Sequence, residues 1–385
     1  MRNIPMVDLQ GQYQQIKPEI DAAIQEILDS AYFIGAGIVK TFSENLADFL
    51  AAKHVIPCGN GTDALQIALM ALDLQPGDEV ITTPFTFVAT AEVIALLQLK
   101  PVFVDVHPDT FNIDERLIEK AITEKTKCIL PVHLFGQSCD MESIMNIAKK
   151  HNIYVVEDNA QAIGADFYFS DGRSQKAGTI GHIGTTSFFP AKNLGAFGDA
   201  GAIFTNDDAL ADKLRLICNH GSSIRYYHDA IGVNSRLDSL QAAVLNVKLK
   251  YLKNYTASRQ TAAAFYTEQL NSDFGVITPV AATFSTHVYH QYTLRLKAVD
   301  REKVVKVLKE EGIASAIYYP IPLHLQNAYK NNGFKAGDFP VAEQLAKEVL
   351  SLPIHTEMTQ EIQLYIINHL RKAVMSSTAT ENLLK

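Results

Sequence analysis

The chain has 385 residues, of which 47% are hydrophobic and 20% are charged. This length and composition indicate a soluble globular protein, and we expect a large domain over residues 1–250 and a smaller one over residues 251–385. No segment approaches the ~18 consecutive apolar residues that a membrane-spanning helix requires, which argues against a membrane protein. The net charge of −8 and the lack of a basic run argue against nucleic-acid binding.

The first residues and the cysteines bear on the cellular compartment and on metal binding. No apolar stretch with a small-residue cleavage site opens the sequence, so we expect a cytoplasmic protein. The cysteines are too far apart for CxxC pairs, which argues against zinc and redox motifs. We therefore expect no metal site and four reduced thiols, at Cys58, Cys128, Cys139 and Cys218.

Short β-rich runs alternate with helical periods from about residue 54 to about residue 220, which is typical of βαβ units and a mostly parallel sheet. Between the first two runs, Leu65, Ala68, Leu69 and Leu72 recur at helical spacing, so a helix is predicted to begin near Gly61. The predicted strands are His54–Cys58, Glu79–Thr82, Val102–Val106, Cys128–Leu134, Tyr154–Glu157, Thr185–Phe189 and Ala202–Thr205.

The pattern changes in the last third of the chain. Residues 237–270 lack glycine and proline and predict one long helix that links the large domain to the rest. After it, strand-like VYHQYTLRL and ASAIYYPI alternate with helical DREKVVKVLKEEG and AEQLAKEVLSL, which indicates a small α+β domain. The polar tail SSTATENLLK is typical of a linker.

Two segments at the carboxyl ends of predicted strands are candidate ligand sites, because open parallel sheets bind ligands at that edge. In CGNGTDAL, small residues before a helix N-terminus suit a phosphate, although a tight turn capped by Thr62 explains the segment equally well. The strand in IYVVEDNAQAIGA ends in Glu157 and Asp158. A buried carboxylate there requires a cation or a protonated ring nitrogen, whereas a helix cap or a surface turn does not.

The third candidate is Lys192 in SFFPAKNLGAFGDAGAIF, where Pro190 interrupts a strand. Taken alone, a loop lysine is most often solvated. Together with a phosphate cradle and a carboxylate for a pyridinium nitrogen, a lysine that forms a Schiff base completes what pyridoxal phosphate requires. Phe87 offers a face for stacking on the ring, Phe85 is the alternative, and core packing explains either residue equally well.

Taken in order, these segments resemble the DegT/StrS family of nucleotide-sugar aminotransferases, a branch of the fold-type-I, aspartate aminotransferase-like enzymes that use pyridoxal phosphate. The similarity covers nearly the whole chain, and its most specific pieces are NGTDALQIAL, PFTFVATAEVI, VVEDNAQAIGA, SFFPAKNLGAFGDAGAIFTND, GVNSRLDSLQAAVL and YYPIPLHLQ. The resemblance implies an α/β fold with a mostly parallel seven-stranded sheet in the large domain and a small α+β C-terminal domain.

At matching positions the resemblance implies roles for individual residues. Lys192 would hold the cofactor as a Schiff base and act as general base and acid, and Asp158 would keep the pyridine nitrogen protonated. Asn234 would reach the phosphate of the neighbouring subunit, which implies a homodimer with shared active sites. The other implied cofactor contacts are Gly61, Thr62 and Ser187 at the phosphate, Phe87 on the ring face and Gln161 beside the ring and its phenolic oxygen.

The resemblance also implies the reaction. An amino group would pass from L-glutamate to C3 of a UDP-2-acetamido-3-keto-hexose or -uronate, or of a dTDP-3-keto-6-deoxyhexose, for surface polysaccharide or lipopolysaccharide biosynthesis. The implied substrate contacts are Tyr32, Arg236, Tyr318, Tyr319 and His324. Several C3 enzymes have His-Tyr-Pro where this chain has Tyr318-Tyr319-Pro320, which leaves recognition of a substrate carboxylate open.

Four other functions compete with this one. A C4 nucleotide-sugar aminotransferase and a non-enzymatic regulator with the same fold remain alternatives. Lys192 argues against the dehydratase members of the family, which have histidine at this position. A nicotinamide-dependent oxidoreductase is disfavoured because no G-x-G-x-x-G stands between a predicted strand and a helix.

Overall fold

The computed structural model describes residues 3–35 and 37–378. The helices within these residues are α1 (Leu9–Ser30), α2 (Gly37–Leu50), α3 (Gly61–Ala71), α4 (Ala89–Leu96), α5 (Glu115–Ala121), α6 (Met141–His151), α7 (Asp208–Cys218), α8 (Ser239–Leu249), α9 (Leu252–Leu270), α10 (Arg301–Glu310), α11 (Pro340–Glu348) and α12 (Gln360–Thr378). The strands are β1 (His54–Cys58), β2 (Glu79–Thr82), β3 (Lys100–Phe103), β4 (Thr126–Ile129), β5 (Tyr154–Asp158), β6 (Asp166–Tyr168), β7 (Ser174–Lys176), β8 (Ile183–Ser187), β9 (Gly201–Thr205), β10 (Val276–Ile277), β11 (Tyr292–Leu296) and β12 (Val349–Leu352).

Seven strands form the central sheet, in the order β1-β9-β8-β5-β4-β2-β3. The pairs from β8 to β3 are parallel, and β9 is antiparallel to both of its neighbours. Successive residues of β2 face different hydrophobic clusters, Val80 towards residues of α3 and α4 and Ile81 towards residues of α5 and α6. Helices therefore cover both faces, as a mostly parallel sheet requires, and the predicted α/β fold is confirmed.

The predicted strands all exist, but most of their bounds differ. β1 and β2 match the prediction, whereas β3, β4 and β8 each begin and end earlier than predicted, and β5 and β9 each differ by one residue at one end. Beyond β4, the bridge between Val132 and Asp158 continues the parallel pairing before the chain turns at the 3-10 helix Leu134–Gly136. Hydrophobic pattern predicts that a strand exists, but hydrogen-bond pairing decides where it ends.

The prediction of one long helix over residues 237–270 is wrong. α8 ends at Leu249 and α9 begins at Leu252, so Lys250 and Tyr251 separate two helices. α8 packs against α1 and α2, whereas α9 packs against α12. The break arises because the two helices bury their apolar faces against different neighbours, which no local residue pattern reveals.

The C-terminal part has its own antiparallel sheet, in the order β10-β11-β12. Residues of this sheet and of α9, α10 and α12 share one hydrophobic cluster, which includes Tyr266, Tyr292 and Leu350. Ile4 also packs into this cluster and pairs with Ile313. We propose a domain boundary near residue 250, where α8 ends.

Three local predictions in this part differ from the structure. Only a single bridge, between Ala316 and Ser351, represents the predicted strand ASAIYYPI. The predicted helix AEQLAKEVLSL ends at Glu348, and its last residues form β12. α12 continues to Thr378, so the start of the predicted linker-like tail is helical, and residues 379–385 of that tail lie outside the described residues. In the described part of the chain, no helix combines the length and the apolarity needed to cross a lipid bilayer.

Asp105, just after β3, connects the central sheet to α11. Its carboxylate accepts hydrogen bonds from the backbone N–H groups of Val341 and Ala342, both at 2.9 Å. These are N–H groups in the first turn of α11, which have no acceptor within the helix, and a negative charge there also suits the helix dipole.

We expect Asp105→Ala to lower the free energy of unfolding by about 2 kcal/mol, because a buried and a partly buried donor both lose their acceptor. Urea denaturation of the two proteins measures this difference. The neighbouring exposed carboxylate gives a control, and Asp109→Ala is expected to change stability by less than about 0.5 kcal/mol. Equal effects of the two substitutions would contradict the role of Asp105.

Candidate active site

The carboxyl ends of the central strands open onto a cavity of about 870 Å³. Side chains or backbone from β5, β8, the start of α3 and the segment around residue 318 line it. The predicted site residues that the structure brings together in this cavity are Gly61, Thr62, Phe87, Asp158, Gln161, Ser187, Lys192, Tyr318 and Tyr319.

The start of α3 forms one end of the cavity. Its N-cap is Asn60, whose side chain accepts a hydrogen bond from the backbone N–H of Asp63 at 2.8 Å, so the alternative of a Thr62 cap is wrong. A Cβ added to Gly61 would lie 2.7 Å from the Cβ of Ser187, which leaves room only for glycine. Backbone N–H groups and a hydroxyl therefore converge where the helix dipole favours an anion, and this end of the cavity suits a phosphate.

Asp158 ends β5 and is 5% exposed. Its carboxylate accepts hydrogen bonds from the Thr90 hydroxyl at 2.9 Å and from the Ala160 N–H at 3.2 Å. Burial raises the pKa of Asp158, while these two donors and the positive charge of Lys192 act in the opposite direction. A further cation in the cavity, such as a protonated ring nitrogen, would stabilise the ionised carboxylate.

Lys192 lies on the loop that follows β8. Its backbone N–H donates to the carbonyl of Phe189 at 2.8 Å, and the loop is so tight that a Cβ on Gly195 would lie 2.2 Å from the Pro190 carbonyl oxygen. Burial lowers the pKa of Lys192 to about 8, with Asp158 opposing the shift. The lysine is therefore not a solvated loop residue, and near neutral pH a useful fraction of its amine is the unprotonated nucleophile.

Phe87 and Phe85, the two aromatic candidates, differ in burial. Phe87 is exposed and lines the cavity, whereas Phe85 is fully buried in the core. Gln161 lines the cavity and hydrogen-bonds two other segments: its Oε1 accepts from the N–H of the buried Phe135 at 2.7 Å, and its Nε2 donates to the Tyr319 hydroxyl at 3.2 Å. Burial raises the pKa of Tyr319, so its phenol is protonated at neutral pH.

Four predicted substrate or cofactor residues lie away from the cavity of their own chain. Tyr32, Asn234 and Arg236 are exposed and are absent from the described lining of the cavity. His324 is buried, and its ring lies 3.1 Å from a Glu343 oxygen on α11. The sequence pattern groups these residues with the site, but their placement depends on how distant segments pack.

The cavity also contains residues that the sequence analysis missed. Thr86 and Gln291 line it, and the buried Thr90 hydroxyl donates to the Asp158 carboxylate. His290 lines it too; burial keeps the pKa of His290 well below its usual range, and its Nδ1 has no hydrogen-bond partner among the described residues. These positions match no short motif. The recognisable features are the aromatic residues in PFTFVATAEVI and the strand-like pattern in VYHQYTLRL.

A lysine and a carboxylate that share a cavity at the carboxyl edge of a mostly parallel seven-stranded sheet are typical of fold-type-I aminotransferases. The sequence profile of the DegT/DnrJ/EryC1/StrS aminotransferase family matches residues 14–371, and the chain belongs to this family. The predicted family, fold and class of enzyme are thus confirmed.

Individual relatives are similar over almost their full length. The chain is 51% identical to the pleiotropic regulatory protein of Geobacillus stearothermophilus, over 95% of this chain and 97% of that protein. It is 47% identical to the UDP-2-acetamido-2-deoxy-3-oxo-D-glucuronate aminotransferase of Pseudomonas aeruginosa, over 91% and 95%. The crystal structure of NtdA from Bacillus subtilis with bound cofactor PMP matches with a TM-score of 0.88 and 32% identity, over 97% and 86%.

Proposed function

We propose that this protein is a pyridoxal-phosphate-dependent aminotransferase that moves an amino group from L-glutamate to C3 of a nucleotide-linked keto sugar. The observation that carries the proposal is the pairing of Lys192, with its lowered pKa, and the buried Asp158 in one cavity. The P. aeruginosa relative, named for a UDP-linked 3-oxo sugar, supports a UDP-linked substrate. A dTDP-3-keto-6-deoxyhexose remains the second candidate for the substrate.

The residues of the cavity fit pyridoxal phosphate. The start of α3, with Gly61 pressed against Ser187, suits the phosphate, and Phe87 offers an aromatic face. Asp158 provides the buried carboxylate that a pyridinium nitrogen needs, and the Lys192 amine provides the group that binds the aldehyde. When bound, this cofactor supplies an electron sink for a carbanion.

The chain itself would bind, orient and move protons. Asp158 would hold a proton on the ring nitrogen, because its carboxylate is buried and needs a positive partner. Lys192 Nζ would take a proton from the amino-acid carbon as a general base and would later return that same proton as a general acid, which a pKa of about 8 permits near neutral pH. Gln161 and Tyr319 hydrogen-bond to each other and would hold their side chains in place beside the ring and the substrate.

We further propose a homodimer in which Asn234 and Arg236 of the partner subunit complete the site. Both side chains are exposed and lie outside the cavity of their own chain, which supports a contact across an interface. The guanidinium would suit a carboxylate or a diphosphate. Tyr32 is also exposed and is proposed as a substrate contact, together with Tyr318 and Tyr319 in the cavity.

His324 has a different proposed role. Its contact with Glu343 connects the segment after Tyr319 to α11. We therefore propose that His324 stabilises the position of this segment and does not touch the sugar. We also propose that the protein works in the cytoplasm, where thiols stay reduced. The four cysteines are free and buried, which supports this compartment.

The test is an assay of the purified protein with glutamate and a panel of UDP- and dTDP-linked 3-keto and 4-keto sugars. The expected result is stoichiometric 2-oxoglutarate with a UDP-linked 3-keto sugar, and an amine that NMR locates at C3. An amine at C4 would establish the alternative aminotransferase. No visible absorption band after addition of pyridoxal phosphate, and no 2-oxoglutarate from any sugar, would favour a non-enzymatic regulator.

A further inference from the structure

Thr90 is a fully buried hydroxyl on α4, 68 residues before Asp158 in the chain. Its Oγ1 lies 2.9 Å from Asp158 Oδ2 and 3.1 Å from Thr86 Oγ1. Thr86 lines the cavity, whereas Thr90 is fully buried and is absent from the described lining. A chain of two hydroxyls therefore connects the cavity wall to the carboxylate.

Chemistry sets the direction of these hydrogen bonds. An ionised carboxylate can only accept, so the Thr90 hydroxyl donates its proton to Asp158. The oxygen of Thr90 is then free to accept from the Thr86 hydroxyl. Asp158 Oδ1 accepts from the Ala160 N–H at 3.2 Å, so each carboxylate oxygen has one protein donor and the plane of the carboxylate is held.

The donors matter because Asp158 lies in an apolar setting. Burial is the largest influence on its pKa and raises it. Hydrogen bonds from Thr90 and Ala160 lower the pKa of Asp158, and electrostatic interactions with Lys192 and His133 lower it as well. Tyr319 also faces Asp158. Thr90 is the side-chain donor in this set, and it is fully buried.

We propose that Thr90 is a positioning residue of the proposed reaction: its hydroxyl donates to the Asp158 carboxylate, favours the ionised form and would hold the carboxylate in the orientation that a pyridinium nitrogen requires. This inference rests on the proposed function, since it gives Asp158 the role of partner to that nitrogen. Thr86 supports Thr90 by donating to its oxygen.

Two substitutions separate the hydroxyl from packing. Thr90→Val keeps the shape of the side chain and removes the donor, whereas Thr90→Ser keeps the donor and removes a methyl group. We expect Thr90→Val to weaken binding of pyridoxal phosphate about tenfold in an absorbance titration, and to move the acidic limb of the kcat/KM profile up by about one pH unit. Thr90→Ser is expected to stay close to the wild-type protein in both measurements.

Urea denaturation of the cofactor-free full chain gives a readout that does not need activity. Removing the donor raises the folded-state pKa of Asp158 further, so the stability deficit of Thr90→Val is largest above that pKa. The deficit shrinks as the pH falls through the folded-state pKa values of Asp158, because a protonated carboxyl needs the donor less. We expect this trend for Thr90→Val and not for Thr90→Ser as the pH falls from above the raised folded-state pKa of Asp158 towards the usual range of a carboxyl group.

The outcomes are distinguishable. A Thr90→Val deficit that does not vary with pH, together with unchanged cofactor affinity, would mean that Thr90 only packs and would overturn the inference. If the wild-type chain fails to bind pyridoxal phosphate, the proposed function fails, and the pH dependence of unfolding still tests the contact between Thr90 and Asp158.

Discussion

Lys192→Ala is expected to abolish covalent attachment of pyridoxal phosphate and to lower turnover by a factor on the order of 10⁴ or more, because one amine serves as nucleophile and as proton carrier. The absorption band of the lysine Schiff base, followed during titration with the cofactor, measures the first effect, and release of 2-oxoglutarate measures the second. Folding is expected to survive. Burial opposes the charged form of this lysine and lowers its pKa to about 8, so the amine does not stabilise the fold at neutral pH.

A second buried lysine provides the control. Lys248 also has a pKa lowered to about 8, but its Nζ donates to the carbonyl of Gly195 at 2.6 Å and it is absent from the described cavity lining. Lys248→Met is therefore expected to retain the Schiff-base band while the free energy of unfolding falls. Retention of the band in Lys192→Ala, or its loss in Lys248→Met alone, would refute the assignment of Lys192.

Asp158→Asn is expected to lower kcat/KM by roughly a hundredfold to a thousandfold while the protein still binds the cofactor. The substitution keeps the shape of the side chain but removes the charge that stabilises a protonated ring nitrogen, and loss of one partner of a buried ion pair is worth about 3–5 kcal/mol. Steady-state kinetics and an absorbance titration of the cofactor measure the two quantities separately. Turnover equal to that of the wild-type protein would rule out this role.

Glu157 is the matched control for Asp158. It is the preceding residue of β5, and its carboxylate accepts from the N–H groups of Gly178 and Ile180 and lies 2.7 Å from His133 Nε2. These contacts are structural, and Glu157 does not line the described cavity. Glu157→Gln is therefore expected to lower the free energy of unfolding, with turnover per bound cofactor retained in the folded fraction. Equal losses of turnover in both variants would mean that Asp158 acts only through stability.

Glu157 and Asp158 are adjacent residues at the end of β5, and only the structure distinguishes their roles. The pattern IYVVEDNAQAIGA placed both carboxylates at a strand end but did not distinguish them. In a strand, successive side chains point to opposite faces, and here one face meets the cavity while the other meets His133. The side that holds the cavity depends on the helices and loops packed on each face, which a single strand does not specify.

The sequence by itself determined the strands of the central sheet and the presence of Lys192, Asp158 and Gly61 at its carboxyl edge. These follow from local periodicity and from the topology of parallel sheets. Only the tertiary structure decided that Asn60 caps α3, that α8 stops at Leu249, and that Thr90 reaches Asp158. Thr90 and Asp158 are far apart in the chain, and the end of α8 depends on the helices that pack against it. At α3, two nearby side chains could each serve as the cap, and only the folded geometry shows that Asn60 does.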